Sequence, residues 1–160
     1  MALPPGSKLG SFYFQSYKQG APDVEVWRIP AKGGPEERLT HDGGSLTHES
    51  ADGKTLFYMR AFSNAPLFAL PLGGGPERKL LECVPSGGFA VGPRGVYHFA
   101  CEAGPSGRPV YLLDPATGRD RLLGNLEGAS GLTVSPDGKT ILYTKAVGVG
   151  ADLMLIENFR

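Results

Sequence analysis

Short apolar runs, rich in Val, Leu, Ile, Phe and Tyr, alternate along the chain with clusters of Gly, Pro, Asp and Ser. Runs of that length, bounded by turn formers, predict strands in an all-β protein with many turns. The runs are also periodic. Ser50-Ala51-Asp52-Gly53-Lys54-Thr55 recurs as Ser135-Pro136-Asp137-Gly138-Lys139-Thr140, 85 residues later, with a degenerate copy, Gly92-Pro93-Arg94-Gly95, midway. The apolar segments Val26 to Ile29, Leu67 to Leu70, Val110 to Leu113 and Leu153 to Ile156 follow at steps of 41 to 43. A third series, Gly33-Gly34-Pro35-Glu36, Gly74-Gly75-Pro76-Glu77 and Thr117-Gly118-Arg119, keeps the same spacing. A period in this range marks a repeat architecture.

Each repeat divides into four antiparallel strands. An inner strand (Leu46 to Ser50, Gly88 to Val91, Gly131 to Ser135) enters a tight turn, where Asp52-Gly53 and Asp137-Gly138 supply the turn former and the positive φ it needs. A second strand follows (Phe12 to Ser16, Thr55 to Arg60, Val96 to Cys101, Thr140 to Lys145), then a longer loop, then the third strand given above. Turns at Gly34 and Gly75 lead to a short charged fourth strand. Second and third strands are apolar at nearly every position, which predicts burial on both sheet faces. Charge on the fourth strand suits an outer edge.

A lone four-stranded sheet cannot cover both its faces, so such units must stack, and radial stacking gives a β-propeller. The expected fold is all-β. Residues 1–10 form an irregular N-terminal segment, and 11–160 form a partial propeller with blade units near 11–43, 44–84, 85–127 and 128–160. That is about three and a half blades, in an open arc or one closed by a homodimer or by further chain.

Composition narrows the function. Sixteen basic residues balance sixteen acidic ones, so nothing points to nucleic acid. No apolar run is long enough for a transmembrane helix, and Met1 to Gly10 lacks the core of a signal peptide, so a cytoplasmic chain with no membrane span is the default expectation. Cys83 and Cys101 are too few for a disulfide framework and their pairing is not legible in sequence, so free thiols are expected.

The Ser-Pro-Asp-Gly-Lys turn, the apolar strand and the Gly-Gly-Pro turn leading to Arg38-Leu39-Thr40 resemble the TolB-like propellers, whose repeat is related to the WD-repeat family. The resemblance runs from Phe12 to Arg160, although Glu49, Val91 and Val134 stand where an aromatic residue often precedes the turn. It implies an interaction platform, a sensory or ligand-binding module of a larger regulator, or a gate beside a serine peptidase.

Candidate chemistry is sparse. The two Gly-Lys-Thr triplets lack the earlier glycine of a phosphate loop, His48 and Thr133 standing there, and strands follow where a helix is required. Asp52 and Asp137 therefore read as turn residues. His41, His48 and His98 could gather round a metal at the axis of a carbohydrate-active propeller, but their spacing does not favour it, so neither metal nor other cofactor is expected. His48 lies on an inner strand near the channel, whereas His98 reads as a packed second-strand residue whose neighbour Cys101 points to the opposite face. No nucleophile elbow is present. A non-catalytic module is therefore expected, binding a protein or small ligand through the least repetitive loops, 41–45, 62–66, 104–108 and 147–151. His41, Asp42, His48, Phe62, Asn64 and Arg108 are its candidate contacts.

Overall fold

The computed structural model describes residues 10–17 and 23–145, and every regular element among them is a strand. The first sheet holds β1 (Ser11–Ser16), β2 (Glu25–Pro30) and β3 (Glu37–Arg38) in sequence order. The second holds β4 (Ser45–Glu49), β5 (Thr55–Met59), β6 (Ala65–Pro71) and β7 (Arg78–Val84). The third repeats that pattern with β8 (Phe89–Gly92), β9 (Gly95–Phe99), β10 (Arg108–Leu113) and β11 (Asp120–Leu126). A fourth pairs β12 (Ala129–Val134) with β13 (Ile141–Lys145). All pairings are antiparallel and no sheet closes on itself. The third strand expected at Leu153 to Ile156 lies outside the described residues.

The strand order is a consequence of turn chemistry. Gly53 (φ 69°) and Gly138 (φ 68°) occupy the left-handed conformation that glycine adopts without Cβ strain. In both turns a serine hydroxyl (Ser50, Ser135) donates to the aspartate Oδ1 at 2.6 Å and accepts the amide of Thr55 or Thr140 at 2.9 Å. The hydroxyl and the lysine amide hold the carboxyls of Asp52 and Asp137 below the usual range. These are structural turns, in keeping with the sequence.

Packing runs between sheets. Phe57, Met59, Leu67 and Val84 of the second sheet bury against Phe89, Val96 and Leu113 of the third. Phe99 and Val110 pack with Ala129 of the fourth. Four residues of β5 and four of β9 are buried, as strands covered on both faces must be. Full burial is worth roughly 1.5–3 kcal/mol for each large side chain.

Two expectations are corrected. The fourth strands β7 and β11 are seven residues long, not short, because apolar residues that reach the cores follow their charged starts. Leu80 and Leu81, and then Leu123 and Leu126, pack onto the two cores. Cys83 and Cys101 are not free thiols: they form a disulfide between the second and third sheets, with Cα atoms 5.8 Å apart. That separation lies inside the range a bridge requires, and stacking of the sheets creates it. Cys101 also falls beyond the end of β9, so it does not share a strand with His98.

Candidate functional site

Antiparallel order sorts the connections between the two ends of the sheets. The turns after the first and third strands of each sheet gather at one end. The loops after the second strand, and those that pass to the next sheet, gather at the other. The loops 41–45 and 62–66 therefore share an end, and there they enclose a cleft of about 270 Å³ lined by Tyr17, Asp23, Asp42, Gly43, Arg60 and Phe62 among others.

One wall is held from behind by a buried carboxylate. Glu25 is 0% exposed at the start of β2. It accepts hydrogen bonds from Arg38 Nη2 (2.8 Å), Thr40 Oγ1 (2.5 Å) and the Gly43 amide (3.3 Å). Burial raises its pKa, but the hydrogen bonds from Thr40, Arg38 and Gly43 outweigh burial and hold the group below its ordinary value. Thr40 Oγ1 in turn accepts the amide of Val26 at 2.9 Å. The loop between the first two sheets is thus fixed from within, and Asp42 is presented at the cleft. Gly43 (φ 90°) approaches so closely that a Cβ there would stand 2.7 Å from the Arg60 carbonyl oxygen.

Arg60 forms the opposite wall. Its guanidinium pairs with Glu77 at 2.5 Å, lies 4.0 Å over the Phe68 ring and donates to the Asp42 carbonyl at 3.3 Å. Tyr58 donates to the same Glu77. Burial, and then this carboxylate, push the Tyr58 pKa up, so its hydroxyl stays protonated. Phe62 is left 51% exposed at the rim.

The structure brings Asp42 and Phe62 together in this cleft. His41 and Asn64 are exposed on the same two loops but do not line it. His48 is on β4, its ring edge-on to Phe89 of the third sheet with centroids 4.9 Å apart. Desolvation on that side lowers its pKa while the other side meets solvent. Arg108 is committed elsewhere, donating to the carbonyls of Ala100 and Cys101 at 2.8 Å each. His98 is buried, with Nε2 3.1 Å from Asp120. No group of three or more His, Cys, Asp or Glu is placed to hold a metal ion among the described residues. Tyr17, Asp23 and Arg60 have no distinctive signal in the sequence, whereas Glu25 has one, a charge at the head of a third strand whose other charge is Arg28.

The stacked four-stranded sheets define a partial β-propeller. No family model and no curated protein matches the chain. Among solved structures it is similar to TolB from Acinetobacter baumannii, with TM-score 0.64 and 19% identity over 87% of this chain and 36% of that one. It is also similar to an oligogalacturonate lyase in complex with manganese, with TM-score 0.62 and 18% identity over 77% of this chain and 36% of that one. The fold is that of a partial TolB-like propeller, and the chain spans about a third of the length of either structure. No helix among the described residues is long and apolar enough to cross a membrane.

Proposed function

We propose that this chain is a non-catalytic binding module whose inter-sheet cleft receives a side chain of a protein partner. The half-exposed ring of Phe62 beside Asp42 carries this reading, because an aromatic residue at the mouth of a cleft that mixes apolar and charged groups is a type enriched at interfaces. Volume weighs for a protein over a free small ligand: 270 Å³ falls below the roughly 300–1,000 Å³ of small-molecule sites. The test is capture of binding proteins by the chain and by its Phe62→Ala/Asp42→Ala variant, followed by affinity measurement with each purified candidate. A specific partner that binds the variant at least tenfold more weakly is the expected result. Equal binding by both chains ends the proposal.

A second copy is the occupant we propose for the outer sheets. Phe12 on β1 is 65% exposed, and Leu142 and Tyr143 on β13 are 64% and 42% exposed, so both outer sheets offer large apolar side chains to a neighbour. Sedimentation should show a dimer that dissociates in Leu142→Glu/Tyr143→Glu. A stable monomer of the unsubstituted chain argues against it.

A further inference from the structure

The turn that breaks the repeat is the starting point. Where Asp52 and Asp137 stand in the neighbouring repeats, the third sheet has Arg94, an inversion of charge at one position. Arg94 lines a pocket of about 210 Å³ with Leu112, Asp114, Arg119 and Arg121. Arg119 and Arg121 flank Asp120, so they share one side of the chain. Asp120 itself turns to His98. This pocket lies at the end of the sheets opposite the loop cleft.

The charges in the pocket are unbalanced. Asp114 is its one carboxylate, and that group is turned into its own loop, accepting from Thr117 Oγ1 at 2.7 Å and the Ala116 amide at 2.9 Å. Arg94 donates through Nη2 to the Gly138 carbonyl, and its charge also acts on the Asp137 carboxylate of the neighbouring turn, so the excess rests on Arg119 and Arg121. The side chains of Arg119 and Arg121 have no hydrogen-bond or ion-pair partner among the described residues. The corresponding place in the second sheet has no such excess, since Pro76 stands for Arg119 and Asp52 for Arg94. Arg78, at the position of Arg121, reaches across and donates to the Pro115 carbonyl of the third sheet.

We propose that Arg94, Arg119 and Arg121 form a binding site for a compact oxyanion, a carboxylate or phosphate group, independent of the loop cleft. Three guanidiniums that line one pocket repel one another, and an anion between them would relieve that. Their planar forks match the two-oxygen edge of carboxylate and phosphate, in bonds stronger than neutral ones.

Titration of the full chain, followed by amide and arginine Nε signals, tests the site with inorganic phosphate and with succinate, each against chloride at equal ionic strength. Shifts at Leu112, Asp114 and Arg119 that saturate with either oxyanion and not with chloride are expected, and the tighter of the two names the source. Arg119→Gln/Arg121→Gln should weaken binding about tenfold or more for each guanidinium removed. Lys79→Gln, whose ammonium pairs with Glu82 within the second sheet, should leave the titration unchanged. If chloride matches both oxyanions, or if the double variant titrates like the parent chain, the site does not exist and these arginines are only a charged blade face.

Discussion

His98 Nε2 lies 3.1 Å from both carboxylate oxygens of Asp120, and one sheet earlier Tyr58 donates to Glu77 from the same place in the repeat. Each ring is stacked on its cross-strand partner: His98 on Tyr111 with centroids 5.4 Å apart, and Tyr58 on Phe68 at 5.6 Å. A ring of the second strand, packed on a ring of the third, thus pins the carboxylate at the start of the fourth. The pattern is one of roles and not of residue types.

Removing the carboxylate from such a lock strands a buried polar group. Asp120→Ala should therefore destabilise the chain by about 1–3 kcal/mol, the cost of an unsatisfied buried donor or acceptor. Urea unfolding measures it. His98→Tyr copies the second sheet and should lose less than His98→Ala. Equal losses in the two variants would show that a tyrosine ring neither fills this place nor reaches Asp120, so the lock of the second sheet does not transfer.

The propeller was legible because turns and strand burial depend on local pattern. Asp52-Gly53 and Asp137-Gly138 form their hairpins from residues within five of one another. The locks were not legible, since Tyr58 and Glu77 are 19 residues apart and His98 and Asp120 are 22 apart, with different chemistry in each sheet. Cys83 and Cys101 give a count in sequence, and only the stacking of sheets gives their distance. Asp42 and Phe62 stand out in the sequence because their loops break the repeat, and the structure places both at one cleft. Arg60 was missed because it ends a regular strand pattern and turns outward only in three dimensions.

The disulfide should hold the second and third sheets together. It closes a separation of 18 residues, and a bridge over a loop of that size contributes about 3 kcal/mol. Cys83→Ser/Cys101→Ser should unfold at correspondingly lower urea. Reductant should lower the melting temperature of the parent chain and leave that of the double variant unmoved. A reductant effect of equal size on both would place its action elsewhere.

Glu25 makes stability depend on acid. Its pKa is lower folded than the ordinary 4.5, so its contribution is fully present above that value and is lost as pH falls through the lower folded value. Glu25→Gln should flatten the part of the stability profile below about pH 4.5 that belongs to this group. Glu25→Ala should cost about 3 kcal/mol at neutral pH, the low end for a broken buried pair, since Arg38 keeps some solvent. An unchanged acid limb in Glu25→Gln would assign that limb to the exposed turn aspartates instead.

The two complete Asp-Gly turns should respond unequally to the same substitution. Alanine at Gly53 or Gly138 is held at a positive φ that costs roughly 1–2 kcal/mol for any L-residue. At Gly53 the new Cβ meets a flexible neighbour, Glu49 Oε1 at 3.0 Å, which can swing away. At Gly138 it meets the Pro93 ring at 2.9 Å, on the third sheet, and the Gly138 carbonyl also receives Arg94 and the Tyr97 hydroxyl. Gly138→Ala should therefore cost more than Gly53→Ala and loosen the joint between the third and fourth sheets, read as faster amide exchange along β12. Equal losses, with β12 exchange unchanged, would mean that the turn of the fourth sheet stands free of the third.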